Sequence, residues 1–144
     1  MKRIAALGSL AALGALNGCT PEGFDVAACS LNGKLAFHIE KIDGWFSDYR
    51  PRPSEVIVLA EGYGPGSTWP GVWAAELKYY GERHSNYEAR PARKLIAYGQ
   101  ILPGWQVGQR AKPLHPGMAY WFSATDNGRR GAARFVAGTH LKPC

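Results

Sequence analysis

LHPGMAYWFSATDNG, residues 114–128, decides the fold of this 144-residue chain. Pro116-Gly117 writes a turn, because proline fixes φ and glycine tolerates the positive φ that follows. The eight residues after it, MAYWFSAT, are the strongest strand candidate in the sequence, and Asn127-Gly128 closes them with a second turn. Tyr120, Phe122 and Ala124 recur at period two and so share one face of that strand.

The same pattern repeats on either side. AARFVAG (132–138) reads as the last strand, and GWQVGQR (104–110) and RKLIAYGQIL (93–102) as two more, separated by Pro103-Gly104. In GVWAAELKYYG (71–81), Trp73, Ala75, Leu77 and Tyr79 fall on one face and Val72, Glu76 and Lys78 on the other. Ala-Ala-Glu-Leu-Lys favours a helix there, but the flanking Pro70-Gly71 and Gly81, the aromatics and the alternation favour a strand. SEVIVLAE (54–61), preceded by Pro51 and Pro53, is a short β-branched run of a deeply buried strand. KLAFHIEKI (34–42) alternates Leu35, Phe37 and Ile39 with Ala36, His38 and Glu40. About seven short strands, with no long amphipathic helix and no internal repeat, predict an all-β antiparallel sandwich or barrel.

Residues 114–128 also resemble the turn and sixth strand of a fibronectin type III domain, where Leu, Pro, Gly, Tyr and Phe recur in the order that Leu114, Pro116, Gly117, Tyr120 and Phe122 follow here, with Ala124 beyond them. The resemblance implies an Ig-like sandwich in which Leu114 plugs the core at the corner and Tyr120 forms a tyrosine corner, its ring buried and its hydroxyl bonded to backbone upstream. It also implies strand E at WQVGQRAKPL and strand G at AARFVAG. The tryptophan usual in the second strand of that family is missing from SEVIVLAE, and Trp73 in the third stands in a place to fill the core instead.

The amino terminus reads differently. Lys2 and Arg3 precede an apolar run from Ile4 to Leu16 that Asn17-Gly18 ends, the layout of an export signal. Thirteen helical residues rise roughly 20 Å, short of the roughly 30 Å hydrocarbon core of a bilayer. Leu16-Asn17-Gly18-Cys19 resembles a bacterial lipobox, which implies lipidation of Cys19 and removal of residues 1–18. Asn17 is an unusual residue at its position in that motif. Thr20 follows the cysteine where an Asp would resemble an inner-membrane retention signal. The implied address is the cell envelope, and in a diderm bacterium the outer membrane facing the periplasm. Residues 19–33 are then expected to be a lipid-anchored tether and 34–144 the sandwich domain.

The chain has three cysteines, an odd number that an exported protein has to accommodate. Lipidating Cys19 leaves Cys29 and Cys144 as a candidate pair in an oxidising compartment. The alternative is that each is a small inert residue in a terminal segment. The ends of a fibronectin-type domain lie at opposite poles, so a bridge requires the tails to fold back, and six or seven extended residues reach about 20 Å. The formal charge of +6 falls to about +4 once Lys2 and Arg3 are taken away. Small basic groups stand at Arg50/Arg52, Arg90/Arg93/Lys94 and Arg129/Arg130/Arg134. They form no continuous stripe, and nucleic acid is not an expected partner.

Motifs for catalysis are scarce. The four histidines, His38, His84, His115 and His140, are far apart with no ligand-like spacing, so neither a metal nor another cofactor is expected. No Gly-x-Ser-x-Gly elbow occurs. Gly62, Gly64 and Gly66 lack the Lys-Ser/Thr of a phosphate loop and read as a hairpin loop. KIDGWFSDYRPRPSE places Asp43, Asp48 and Glu55 among Trp45, Phe46, Tyr49 and Arg50, materials of a carbohydrate site or of a glycosidase acid pair. A loop with its own small aromatic cluster explains the same residues. Tyr63, Trp69, Tyr87 and Trp105 fall in or beside turns, where aromatics suit a recognition surface or close the ends of a core. The expectation is a non-catalytic binding or assembly module at the membrane, meeting an envelope protein or a cell-wall glycan. The alternative is a glycan-binding domain or glycan-directed hydrolase using the 43–55 loop.

Overall fold

A computed structural model describes residues 23–40, 50–62, 70–78 and 93–144. Eight strands form within them: β1 (Val26–Leu31), β2 (Lys34–Ile39), β3 (Glu55–Ala60), β4 (Gly71–Leu77), β5 (Leu95–Ala97), β6 (Trp105–Gln109), β7 (Ala119–Asp126) and β8 (Arg129–Val136). They make two antiparallel sheets, one in the order β1-β2-β5 and the other in the order β6-β4-β3-β7-β8. The all-β sandwich expected from the period-two pattern is the observed fold.

Apolar alternation drives the packing of the two sheets. Phe37 of β2 stacks on Phe122 of β7 with ring centroids 3.9 Å apart, and Phe135 of β8 tilts against the same ring at 5.5 Å. Val56 and Val58 of β3, Trp73 of β4 and Ile96 of β5 complete a core that excludes water. Trp73 meets Tyr98 edge to face, with centroids 5.4 Å apart. Burying side chains of this size contributes about 1.5–3 kcal/mol each, and the Phe37–Phe122 stack is one of the contacts that join the sheets. The corner before β7 takes the expected form: Tyr120 is buried, its hydroxyl accepts the His115 N–H at 3.0 Å, and Leu114 packs against the core.

Both tight hairpins turn on the same dipeptide. Asn127-Gly128 joins β7 to β8 and Asn32-Gly33 joins β1 to β2, each with positive φ at both residues. That backbone matches the twist of the strands it connects. The second hairpin corrects the expectation that residues 19–33 are a tether and that the domain starts at residue 34. Val26–Leu31 pairs with the whole of β2, from Val26↔Ile39 to Leu31↔Lys34. The run Ala27-Ala28-Cys29 is too small and even in character to show an alternation, yet Asn32-Gly33 beyond it is a hairpin signal.

Two further expectations change. Strand E was expected at WQVGQRAKPL, but the strand beside β2 is β5, and β6 pairs with β4 in the opposite sheet. RKLIAYGQIL yields only the three residues of β5. Gly99 adopts a φ of 76°, the Gln100 N–H donates to the Ala97 carbonyl, and Gln100 Oε1 accepts the Ala97 N–H, which turns the chain out of the sheet.

Cys29 and Cys144 form a disulfide. The tail beyond β8 folds back beside β1, as a bridge between opposite ends requires. Ser30 N–H donates to the Lys142 carbonyl, Cys144 N–H donates to the Ser30 carbonyl, and Ser30 and Pro143 pair in parallel.

Candidate functional site

Strand register places the start of β1, the end of β2 and the start of β5 side by side, at Val26, Ile39 and Leu95. In the other sheet the start of β3, the ends of β4 and β7 and the starts of β6 and β8 come together in the same way. Backbone bonds pin the two groups into one end of the sandwich. Ile39 N–H donates to the Lys94 carbonyl at 2.8 Å, Glu40 N–H to the Asp25 carbonyl at 2.8 Å, and Arg93 N–H to the Pro51 carbonyl at 3.2 Å. The last of these bonds crosses from the approach to β5 to the approach to β3. Beside it, Asp126 is buried at the end of β7, and its Oδ2 accepts the Arg52 N–H at 2.8 Å.

The Ile39–Lys94 and Arg93–Pro51 bonds join residues that line a cavity of about 480 Å³, together with His38, Glu40 and Arg50. Its size is that of a small-molecule site, and its chemistry is cationic. Arg50 and Lys94 are exposed at the rim and Arg93 is half-buried. The one carboxylate among the described lining residues, Glu40, lies 3.4 Å from His38 Nδ1. Among the described residues no acid forms an ion pair with Arg50, Arg93 or Lys94. Arg50 and the Arg93/Lys94 group are separate clusters in the sequence, and the fold makes them one.

A second groove runs along the disulfide between β1 and the returning tail, lined by His38, Glu40, His140, Lys142 and the Cys29–Cys144 bridge. The sequence gives no reason to associate His38 with His140; the disulfide places the tail that carries His140 beside β1.

At the opposite end, Tyr98 closes the passage from β5 to β6. Its hydroxyl donates to the Lys112 carbonyl at 2.8 Å, with the Val72 carbonyl at 3.3 Å. Burial raises its pKa above the ordinary phenol value; the bond to Lys112 opposes the rise and the neighbouring Tyr120 adds to it.

The residues expected to bind a ligand or partner are placed as follows. Asp43, Trp45, Asp48, Tyr49, Tyr63, Trp69 and the lipidation candidate Cys19 lie outside the described residues. Glu40 and Arg50, which flank residues 41–49, stand at the cavity. Ala60 and Pro70, joined by a backbone bond, hold the approaches to residues 63–69 at the other end. Trp105 is a correction: it is 5% exposed and belongs to the core. It begins β6 opposite Leu77, and that pairing turns its indole inward instead of leaving it on a turn.

Comparison with protein-family models, with curated proteins and with solved structures finds no match to this chain.

Proposed function

We propose that the protein is an envelope lipoprotein, a β-sandwich tethered to a membrane through Cys19 that acts as a non-catalytic binding or assembly module for an envelope protein or cell-wall glycan. The observation that carries this reading is the Cys29–Cys144 bridge. Of three cysteines two are joined, and the third stands at the end of the export-like apolar run, in the lipobox-like Leu16-Asn17-Gly18-Cys19. A disulfide of this kind persists in oxidising compartments, which fits export, and lipidation gives the odd cysteine a role. In a diderm bacterium the address is the outer membrane, facing the periplasm. The Tyr120–His115 bond supports the further likeness to a fibronectin type III sandwich.

Intact mass spectrometry of the protein from membranes of its native host, with and without reductant and beside Cys19→Ala, tests the anchor. The expected mass starts at Cys19 with added lipid and gains two hydrogens on reduction. An unlipidated mass, or cleavage elsewhere, overturns the anchor.

The cavity at Arg50 and Pro51 favours a second reading, a glycan-binding or glycan-cleaving site that includes the 43–55 loop. Replacing Asp43 and Asp48 by Ala separates the two: an enzyme loses turnover, while a docking module does not depend on that pair.

A further inference from the structure

We propose that the cavity walled by Arg50, Arg93 and Lys94 is an oxyanion site whose ligand group is a phosphate. This deepens the envelope-binding reading and rests on it only for where the phosphate comes from. Three cations gathered in one concavity repel each other unless an anion lies between them, and among the described residues the lining supplies one carboxylate, Glu40, placed against His38. The formally charged side chains among the described lining residues, Arg50, Arg93, Lys94 and Glu40, sum to +2. Two guanidinium groups match the tetrahedral oxygens of phosphate with paired donors, and an ammonium adds a point charge.

Backbone bonds fix the segments that carry these groups. The Lys94 carbonyl is tied to β2 through the Ile39 N–H, and the Arg93 N–H is tied to Pro51, next to Arg50. The three cations therefore come from two chain segments that meet through backbone bonds, as in a formed site and not as in a chance run of basic residues. At about 480 Å³ the cavity is wider than a bare phosphate and has room for an esterified one.

Placement favours a source at the membrane. Phe24, the first core residue among the described ones, enters at the same end of the sandwich as the cavity. Cys19 stands five residues before it, and five residues span at most roughly 18 Å. A lipid on Cys19 would hold this end within that distance of the headgroups. A phospholipid headgroup and a soluble phosphate share the chemistry, and the test separates them.

The full chain in a neutral detergent is titrated with inorganic phosphate, with short-chain phosphatidylglycerol, and with short-chain phosphatidylcholine as the zwitterionic control, while amide resonances are followed by NMR. The expected result is saturable shifts at Glu40, Arg50, Arg93 and Lys94. Arg50→Gln/Arg93→Gln/Lys94→Gln should weaken the binding tenfold or more. Lys34→Gln/Arg110→Gln/Lys112→Gln removes the same charge away from the cavity and should weaken it less than twofold. Saturation by phosphatidylglycerol alone assigns a headgroup, and saturation by inorganic phosphate assigns a soluble or polymer-borne phosphate. No saturable shift with either, or equal weakening by the two triple variants, overturns the site. Loss of the lipid anchor by mass leaves this titration unaffected, so the two readings fail separately.

Discussion

Phe24 packs directly on the α-carbon of Gly131, so closely that a Cβ at residue 131 would overlap Phe24 Cδ2, Cε2 and the Phe24 carbonyl. The approach to β1 is thereby locked to β8 of the opposite sheet. Gly131→Ala gains about 0.4–1 kcal/mol by restricting the unfolded chain, but overpacking a filled site costs about 1–3 kcal/mol. The clash involves backbone as well as the ring, so the loss should win. Phe24→Ala should cost about 3–5 kcal/mol. The double variant should cost less than the sum, because the new methyl enters the space the ring leaves. Urea midpoints of the four proteins measure this, and additive effects would separate the two residues.

This contact shows where the sequence is readable and where it is silent. Tyr120, Phe122 and Ala124 announce β7 because large and small apolar residues alternate with others, and the burial of β7 follows that alternation. β1 has no such contrast. Its Ala27-Ala28-Cys29 stretch carries side chains too small to mark a face, and its place is set by pairing with β2 and by the tail that Cys144 holds. Trp105 misleads for a related reason: a tryptophan after Pro103-Gly104 looks like a turn residue until the partner strand, β4, is known. The cavity is legible only in pieces. Arg50 and Arg93/Lys94 are far apart in sequence, and a backbone bond between approaches to different sheets brings them together.

The Tyr120 hydroxyl accepts the His115 N–H at the corner before β7. Tyr120→Phe keeps the ring in the core and strips that N–H of its acceptor. A backbone donor left without a partner costs about 1–3 kcal/mol. The expected signature is a lower urea midpoint with unchanged m-value and faster amide exchange at His115. Unchanged exchange there would mean that the bond does not hold the corner.

The Cys29–Cys144 bridge spans 115 residues of sequence. On the chain-entropy account, removing a crosslink that closes so long a loop costs about 4–5 kcal/mol. Cys29→Ser/Cys144→Ser should therefore unfold at much lower denaturant. Ahead of global unfolding, the Ser30 and Cys144 amides, which bond β1 to the tail, should exchange freely. If the tail amides stay protected, its backbone pairing suffices without the covalent link.

Tyr98 makes stability depend on alkaline pH, and the sign follows from the direction of its shift. Burial raises its pKa in the folded protein above the ordinary value of 10.0, so the proton is held more tightly in the folded than in the unfolded state. The resulting stabilisation is complete below the unfolded pKa and is lost as pH rises through the folded one. Tyr98→Phe removes the donor to the Lys112 carbonyl and should cost about 1 kcal/mol at neutral pH. It also removes the titrating group. Wild type should therefore be the more stable protein at pH 7, and its advantage should shrink as pH passes about 10. Urea unfolding of both proteins from pH 7 to 11 measures the difference directly. A gap that stays constant over that range would mean that the Tyr98 hydroxyl ionises as readily folded as unfolded.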